Sequence, residues 1–566
     1  VVLVNSTQCT VTNVTVSKTY WSGIAVDFFS NNNTINDNTV TSCYETGIRL
    51  YYVGENTVVN NRITFCEGLG LYLESSPSNR LSNNTLLGNG QGVSLSCSGG
   101  NVLRNNTMNS NCRNFGVAAD FSSLPLSCFI NDIDTSNTVN GKPIYYWVNQ
   151  HDIEIPADAG YIALVNSTKI VVRNLNMANN TQGMLLAYTN SSTITNVTVS
   201  DDDFGITMYI SNFNEVFESN VTKNNVEGIL LYYSNNNTVM HSMMSNNSLD
   251  GIALWDCSNY NIISHNTIIF NYDGVTLFGS PRNLFNDNLV SNNGYGIHLL
   301  WGSSGNTISD NMITNNGEGI YMHESGDNRV LNNTISFNGG NGICMWTNSR
   351  LNRVIGNDIK YNLRGVRLKT SDNIIYHNNF VNNTLQAYCV MGAINVWNDT
   401  YPSGGNYWSD QYHGSCADHY RGPNQNEPGS DGIVDKPYNI TYDNHDWLPL
   451  MRPYSHDVAV INVTSFKTIV GVGYSVRINV TVENQGYFTE TFNLTLYAFT
   501  MPPPISIDIT TVSNLTSGSS VTFTFIWNTS GFDKGNYAIS AYAWLLPSEA
   551  DTTDNTLTDG WVLVTI

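Results

Sequence analysis

The apolar residues of this chain alternate along short segments that restart after a glycine every 22 or 23 residues. The segment Gly251-Ile252-Ala253-Leu254-Trp255 is typical, with Ile252 and Leu254 on one side and Ala253 and Trp255 on the other. Such alternation predicts β-strands with one buried face, and a fixed period of this length predicts a repeat architecture. The repeat glycines of the most regular stretch are Gly183, Gly205, Gly228, Gly251, Gly274, Gly296, Gly319, Gly342 and Gly365.

Asparagines recur with nearly the same spacing, so coiling the chain once per repeat would stack one amide on the next. Stacked amides can bond to each other and to turn backbone groups that would otherwise be buried without partners. We expect one such ladder, with a break near Met243. Its predicted members are Asn220, Asn266, Asn288, Asn311, Asn333, Asn357 and Asn379.

Two repeat architectures have this period, the leucine-rich repeat and the parallel β-helix. A leucine-rich repeat usually needs helix formers in its return limb, whereas the return limbs here are rich in Asn, Thr and Ser. We therefore predict an all-β fold, a right-handed parallel β-helix with about 22–24 residues and about three short strands per coil. A solenoid of this kind is a stiff rod.

The period predicts where the domains lie. The β-helix should occupy residues 1–394, with an inserted hairpin or loop near 117–160, where the repeat fails. Residues 395–454 are irregular and rich in aromatic residues, Gly and Asp, as expected of a cap on the last coil. Residues 455–566 contain seven alternating segments separated by turn signals, which predicts an immunoglobulin-like β-sandwich.

Composition narrows the possible partners. The formal net charge of −21 and the low share of charged residues, 12%, argue against binding to nucleic acid or to an anionic membrane surface. No apolar run is long enough to span a membrane and no signal peptide is present, so we expect either the mature form or a targeting segment outside this sequence.

Sequons and cysteines both favour an extracellular protein or a protein of the cell surface. N-linked glycans are expected at some of the Asn-x-Ser/Thr sites, although an Asn- and Thr-rich repeat also creates such sites by chance. Cys43 with Cys66, and Cys389 with Cys416, are spaced as possible disulfides. The candidate glycosylation sites are Asn83, Asn105, Asn236, Asn332, Asn382, Asn479 and Asn528.

The repeat unit resembles the parallel β-helix of the NosD-like family, also described as carbohydrate-binding and sugar-hydrolysis proteins. The stretches Gly405-Asn406-Tyr407-Trp408-Ser409-Asp410 and Asp431-Gly432-Ile433-Val434-Asp435 are similar to that family's closing segment. The last domain resembles CARDB-type adhesion modules of archaeal surface proteins through Val480-Thr-Val-Glu-Asn-Gln-Gly486. The resemblance implies either a surface-layer or sheath component or a carbohydrate-active protein. The name NosD suggests copper, which the scattered histidines do not support.

The residue before each repeat glycine forms a column that could carry chemistry. Asp250 and Asp273 would stack at about 5 Å, a separation that suits calcium or a retaining glycosidase pair. An exposed acidic stripe is more often a solvated face, and no Lys or Arg adjoins this pair, so we do not expect an enzyme. The column comprises Glu227, Asp250, Asp273, Tyr295, Glu318, Asn341 and Arg364.

A second column, four residues after the glycines, is aromatic and is predicted to be exposed. It could pack against another part of the chain, contact a neighbouring copy or stack on sugar rings, and we favour packing. Its main members are Tyr209, Tyr232, Trp255, Phe278 and Trp346.

One oxygen-rich loop could bind calcium, the only cofactor that we expect. It would use Asn424, Asn426, Asp431 and Asp435, with Gly432 for a tight turn, although this spacing departs from that of an EF-hand.

Two functional hypotheses follow. The first is a glycosylated structural subunit of a surface layer, sheath or filament, assembled head to tail from copies of itself through the coil at residues 1–16. The second is a secreted protein that binds or cleaves carbohydrate, with cell-surface polysaccharide as its partner.

Overall fold

The computed structural model describes residues 1–119, 124–414, 417–500, 504–546, 549 and 552–566, and only the backbone of Asp559. The chain divides into two compact units. The first comprises Val1–Ile375, Phe380–Val396 and Asn439–His445, and the second comprises Tyr376–Asn379, Trp397–Tyr438 and Asp446–Ile566. Within the described residues, no helix is long and apolar enough to cross a membrane.

The fold prediction is confirmed, because the first unit is a right-handed parallel β-helix with three faces of stacked strands. Each face is called a sheet here, although the hydrogen-bonded ladders are divided where the repeat fails. The first sheet contains Val2–Val4, Ile24–Asp27, Thr46–Tyr51, Leu69–Glu74, Gln91–Ser96, Arg113–Ala118, Lys142–Val148, Tyr161–Val165, Gln182–Ala187, Phe204–Tyr209, Ile229–Tyr232, Asp250–Trp255, Asp273–Phe278, Tyr295–Leu300, Glu318–His323, Asn341–Met345, Arg364–Leu368 and Leu385–Cys389.

The other two sheets consist of shorter strands. The second contains Thr10–Thr12, Thr34–Asn36, Thr57–Val59, Arg80–Ser82, Val102–Arg104, Asp132–Ile133, Val171–Arg173, Thr193–Thr195, Glu215–Phe217, Thr238–Met240, Ile262–Ser264, Leu284–Asn286, Thr307–Ser309, Arg329–Leu331, Arg353–Ile355 and Ile374–Tyr376. The third contains Thr15–Ser17, Thr39–Thr41, Arg62–Thr64, Thr85–Leu87, Thr107–Asn109, Thr138–Val139, Asn176–Ala178, Thr198–Ser200, Asn220–Thr222, Met243–Ser245, Thr267–Ile269, Leu289–Ser291, Met312–Thr314, Thr334–Ser336, Asp358–Lys360 and Asn379–Val381.

The core of the β-helix consists of apolar columns that run along its axis. Ile252 pairs with Val275, and Val275 with Ile297, so that equivalent positions of neighbouring coils pack on each other. All three are at most 1% exposed. The repeat glycines are required at the crowded corner beside these columns, because a Cβ at Gly251 would lie 2.7 Å from the carbonyl oxygen of Gly274.

The interruption near residue 120 contains a hairpin, as the sequence predicts. Thr138–Val139 pairs antiparallel with the start of Lys142–Val148, across the turn at Asn140-Gly141. A 3-10 helix, Leu126–Cys128, precedes the hairpin. The first sheet continues beside it, since the amide of Thr181 donates to the carbonyl oxygen of Phe115 at 2.9 Å.

Three polar ladders run along the β-helix, one at each corner, where the sequence pattern indicated one. In each ladder a buried Asn accepts through Oδ1 from the backbone amide, and in most cases also from Nδ2, of the Asn one coil before it, as Asn306 does from Asn283 and Asn293 does from Asn271. These bonds satisfy backbone amide and carbonyl groups of the turns that water cannot reach. Inside the corners the ladders therefore serve as the hydrogen-bond partners that water provides at the surface.

The predicted ladder lies at the corner between the second and third sheets, but two of its members are wrong. Asn220 and Asn379 belong to strands. In the coil of Asn220, the buried ladder position is occupied by Ser219. The ladder also does not break near Met243, because Ser242 accepts from the amide of Ser219 and donates its own amide to Asn266 Oδ1. A serine hydroxyl replaces the amide oxygen there.

The second unit begins with an aromatic segment in which Trp397 and Trp408 are buried. Its short strands are Tyr407–Trp408, Tyr420–Arg421 and Glu427–Pro428. Two further short strands, Tyr438–Thr441 and Asn444–Asp446, lie mainly in the first unit. A β-sandwich follows, with one sheet of Val458–Ser465, Ser475–Asn484 and Ser520–Asn528. The other sheet contains Ile469–Gly471, Thr556–Thr565, Gly535–Ala543, Glu490–Phe499 and Ile505–Leu515.

Candidate functional site

Side chains on the outer surface of the first sheet form columns, because neighbouring coils stack in register. Asp250 pairs with Asp273 across adjacent strands, and Asp273 with Tyr295. Three residues further along the strand, Thr276 pairs with His298. Residues that are about 22 positions apart in the sequence therefore touch. We call the outer surface from Asp250 to Lys369 the first-sheet face.

Asp250 and Asp273 are joined through a threonine. The hydroxyl of Thr276 donates to Asp250 Oδ1 at 2.9 Å and lies 3.5 Å from Asp273 Oδ2. The two aspartates are 7% and 5% exposed, so the prediction of a solvated acidic stripe is wrong for them. Burial, reinforced by the neighbouring charge of Asp273, raises the pKa of Asp250 well above its usual range. Asp250 is therefore a candidate proton donor.

The second aspartate holds a histidine. Asp273 Oδ2 lies 2.9 Å from Nδ1 of His298, and their side chains are only 8% and 15% exposed. The imidazole stacks on the ring of Tyr295 at 4.4 Å and meets the edge of Tyr321 at 5.2 Å. Burial raises the pKa of Tyr321 to about 12, so its phenol stays protonated at neutral pH. The hydrogen bond to Asp273 and the contacts with the two tyrosine rings hold the imidazole in one orientation.

Sequence reasoning treated His298 as one of several dispersed histidines and missed this pair. The signal was present in the register, since His298 lies two residues after Gly296, on the coil that follows Asp273. Strand alternation places that position on the outside, next to the pre-glycine column of the preceding coil.

The rest of the pre-glycine column is also held by hydrogen bonds or buried. Glu318 Oε2 accepts from the backbone amide of Asn341 at 2.9 Å and from its side-chain amide at 2.8 Å. Glu227 is 1% exposed, and burial raises its pKa to about 7. Along the axis, Glu227 precedes the Asp250–Asp273 pair by one coil, and Glu318 follows it by two.

Basic and aromatic groups lie further along the same face. Lys369 Nζ lies 3.0 Å from the centroid of the Trp346 ring, and Arg367 Cζ lies 5.0 Å from it. Arg367 is in the column of His298, three coils later, which corresponds to about 14 Å at the usual spacing of strands. Arg and Lys held over the half-buried Trp346 ring suit an anionic ligand.

This arrangement can perform proton transfer. A carboxylate that accepts from Nδ1–H fixes the tautomer in which Nε2 of the imidazole is a proton acceptor. Asp250, whose raised pKa favours the protonated form, and the phenol of Tyr295 can supply protons. The first-sheet face therefore combines a base, acids and, further along, a cationic and aromatic patch.

The aromatic column is only partly exposed, contrary to expectation. Tyr209 and Tyr232 are 2% and 4% exposed, so the prediction of exposure is wrong for both. The ring of Phe129, from the interruption of the repeat, lies 5.8 Å from that of Tyr209. Packing against another part of the chain was one of the expected roles. Trp255 and Trp346 are half-buried, and Phe278 is exposed.

The residues of the predicted calcium loop have other partners. Asp431 Oδ2 accepts from the amide of Gly422 and from Gln425 Nε2, and Asp435 accepts from the amides of His419 and Tyr420. Asn424 and Asn426 are exposed. Calcium binding at this loop stays a prediction.

Six of the seven candidate sequons lie on the outside of the chain. Asn83, Asn105, Asn236, Asn332 and Asn382 each directly precede a buried ladder asparagine and are themselves exposed. Asn528 is exposed and Asn479 is half-buried. A glycan at an exposed corner position would not disturb the ladder beside it, and glycosylation stays a prediction.

Cys43 and Cys66 are buried on adjacent coils as free thiols whose side chains contact each other. Cys128 similarly contacts Cys97. Cys389 is buried, while Cys416, its proposed partner, lies outside the described residues. The disulfides stay predictions.

Comparison with protein families assigns the architecture. A model described as periplasmic copper-binding protein (NosD) matches residues 129–316 and 258–414, which together cover half of the chain. The chain belongs to the NosD family. A model of the right-handed β-helix region matches residues 1–156, and the CARDB model matches residues 456–558. The resemblances stated from the sequence are thus confirmed.

Solved structures show remote likeness only. The A-module of Azotobacter vinelandii mannuronan C-5 epimerase AlgE6 is 12% identical over 66% of this chain and 88% of its own, with a TM-score of 0.32. The periplasmic alginate epimerase AlgG is 15% identical over 65% and 77%, with a TM-score of 0.28. The CARDB domain of a Pyrococcus furiosus protein in complex with di-metal ions is 22% identical over 20% and 94%, with a TM-score of 0.17. No curated protein matches the chain.

The name of the family implies copper, and two histidines of this chain lie close to each other. The imidazoles of His241 and His265 lie 4.9 Å apart on adjacent coils, and His265 Nε2 is 3.8 Å from Asp287. Among the described residues, no three side chains of His, Cys, Asp or Glu are grouped closely enough to hold one metal ion. These residues do not fit a copper centre.

Proposed function

We propose that this protein binds an acidic polysaccharide along the first-sheet face and transfers a proton to or from a bound sugar. The observation that carries the proposal is the Asp273–His298 pair, buried yet at the outer surface of a sheet. A buried carboxylate with no role would weaken the fold, because removing a charge from water is costly. The cost of burying the Asp273 carboxylate is explained if Asp273 positions a base.

In this proposal His298 acts as the base through Nε2. Asp273 positions it, and the stacked ring of Tyr295 prevents its rotation. Burial raises the pKa of Asp250, which favours its protonated form, and Asp250 acts as the acid. Asp250 and His298 lie two coils apart on one face, about 10 Å at the usual spacing of strands, so an acid and a base can act on opposite sides of one sugar.

Trp346, Arg367 and Lys369 would hold the polymer beyond the reacting sugar. The Trp346 ring holds the two cations by cation–π contacts, and the cations pair with a carboxylate or sulfate of the ligand. A ligand of this kind is extracellular, which agrees with a secreted or surface location.

The test is incubation of the full chain with uronate polysaccharides in D2O. We expect deuterium incorporation, unsaturated ends or new reducing ends by proton NMR, and we expect His298→Gln to abolish them. His241→Gln, an exposed histidine, is the matched control. If the wild-type chain changes none of these polymers, or if both variants behave alike, catalysis at His298 is excluded. Loss of binding in Lys369→Ala would separately test the polymer subsite.

A structural subunit of a surface assembly is the second candidate. It is favoured by large apolar side chains at an outer corner of the β-helix, where Phe337 and Tyr361 stack at 4.9 Å and remain 55% and 46% exposed. Exposed aromatic pairs of this kind are common in contacts between copies. Electron microscopy of purified chain would show regular polymers, and their absence in Phe337→Ser would identify the contact.

A further inference from the structure

The coils near the start of the chain form a concave surface, separate from the first-sheet face. A groove of about 580 Å³ lies over the strands Thr46–Tyr51 and Leu69–Glu74. This volume is within the roughly 300–1,000 Å³ of small-ligand sites. We call it the N-terminal groove.

Aromatic rings stand at both ends of the strand Thr46–Tyr51. At one end Tyr44 stacks on Tyr20, with centroids 5.2 Å apart and planes 6° apart, and both rings are more than half exposed. At the other end Tyr51 meets the edge of Phe28 at 5.0 Å. Exposed rings that are already held by neighbours lose little conformational freedom when they bind a ligand.

The floor between these rings is polar and fixed. Arg49 makes two hydrogen bonds to Asp27, with Nη2 at 2.7 Å and Nε at 3.2 Å. The hydroxyl of Tyr72 donates to Glu74 Oε2 at 2.8 Å. Glu45 and Glu67 add two exposed carboxylates to the lining, and Arg49 is its only cation. The groove is therefore rich in acceptors and negatively charged.

We propose that the N-terminal groove binds a neutral oligosaccharide. A pyranose has apolar faces, which stack on tyrosine rings, and hydroxyl edges, which donate to carboxylates. The negative floor repels acidic sugars, in contrast to the cationic patch near Trp346. The two sites thus take different sugars, so one polymer segment cannot occupy both, and the protein can join a neutral glycan to an acidic one.

The full chain should be titrated with neutral hexose and N-acetylhexosamine oligosaccharides and, separately, with uronate oligosaccharides, by calorimetry. We expect neutral binding that weakens about tenfold or more in Tyr44→Ala and in Tyr51→Ala, because each removes one stacking surface. Tyr260→Ala, which truncates a half-exposed ring elsewhere, should not change it. The melting temperature of each variant verifies folding.

The proposal is overturned if no neutral oligosaccharide binds, or if uronate oligosaccharides bind the groove equally well. It is also overturned if Tyr44→Ala changes only self-association, since the groove would then be a contact between copies. His298→Gln should leave neutral binding unchanged, so failure of the proposed catalytic function and failure of this inference give different results.

Discussion

Asp273 Oδ2 lies 2.9 Å from Nδ1 of His298, although 25 positions separate the two residues in the sequence. Stacking of the coils brings them together. If Asp273 orients the base, Asp273→Asn should lower the rate of proton transfer by at least about 100-fold, with a small change in KM. The rate assay in D2O measures this directly. Asp287→Asn, at a half-exposed carboxylate, should keep the rate, and an equal loss in both variants would contradict a positioning role.

Asp202 occupies a ladder position that asparagine holds elsewhere. Its Oδ1 accepts from the amide of Asn180, and its own amide donates to Asn224, but Oδ2 is buried without a hydrogen bond among the described residues. Asp202→Asn would replace Oδ2 by an amide nitrogen, which can donate a hydrogen bond to Asn224. We expect an increase of about 1–3 kcal/mol in the free energy of unfolding at pH 7.

Chemical denaturation of the full chain measures this change. Asp201→Asn is the control, because the neighbouring Asp201 is exposed and should have no effect. A less stable Asp202→Asn variant would show that the buried carboxylate has a partner that stabilises its charge.

Burial raises the pKa of Glu227 to about 7 from an ordinary value near 4.5. The folded state therefore holds a proton that the unfolded chain releases between about pH 4.5 and 7. The contribution of Glu227 to stability should be largest below pH 4.5 and should fall by at most about 3 kcal/mol as the pH rises to 7. Glu227→Gln should remove this part of the pH dependence.

Thermal midpoints of wild type and Glu227→Gln across this pH range provide the comparison. Glu218→Gln, on an exposed carboxyl group, should follow the wild-type curve. If the Glu227→Gln curve keeps the same slope as wild type, Glu227 is not the titrating group.

The ladders should be sensitive to truncation. Asn288 donates through Nδ2 to Ile263 O at 2.8 Å and to Asn311 Oδ1 at 2.9 Å, and it accepts from the amide of Asn266. Asn288→Ala leaves these buried groups without partners, so we expect a loss of about 3 kcal/mol or more. Asn176→Ala, at an exposed strand position, should cost much less, and equal losses would contradict the role of the ladder.

The contact between Cys43 and Cys66 predicts a disulfide under oxidising conditions. A bond across one coil closes a loop of about 22 residues, which should raise the free energy of unfolding by about 3 kcal/mol. Mass spectrometry of peptides from unreduced protein would detect the linked pair. Two alkylated thiols in protein purified from an oxidising compartment would refute the prediction.

The sequence by itself determined the architecture and the register. The glycine period sets the number of residues in one coil, and so it also sets which residues stack. Ile252 and Val275 each follow a repeat glycine directly, which predicts that they stack. The ladder was harder to assign, because Ser242 replaces an amide without changing the spacing. Two further asparagine ladders were not predicted, although their positions recur as regularly, as Asn261–Asn283 and Asn271–Asn293 show.

Burial of the outer columns was decided only by the tertiary structure. A pattern with period two indicates which side a residue faces, but not how deeply its neighbours cover it. Asp250 is shielded by the side chains of adjacent coils, and Tyr209 by a segment some 80 residues earlier that folds back over the sheet. Hydrogen bonds such as Asp273–His298 depend on side-chain conformations that a period does not encode. The candidate site therefore became visible only when the coils were placed side by side.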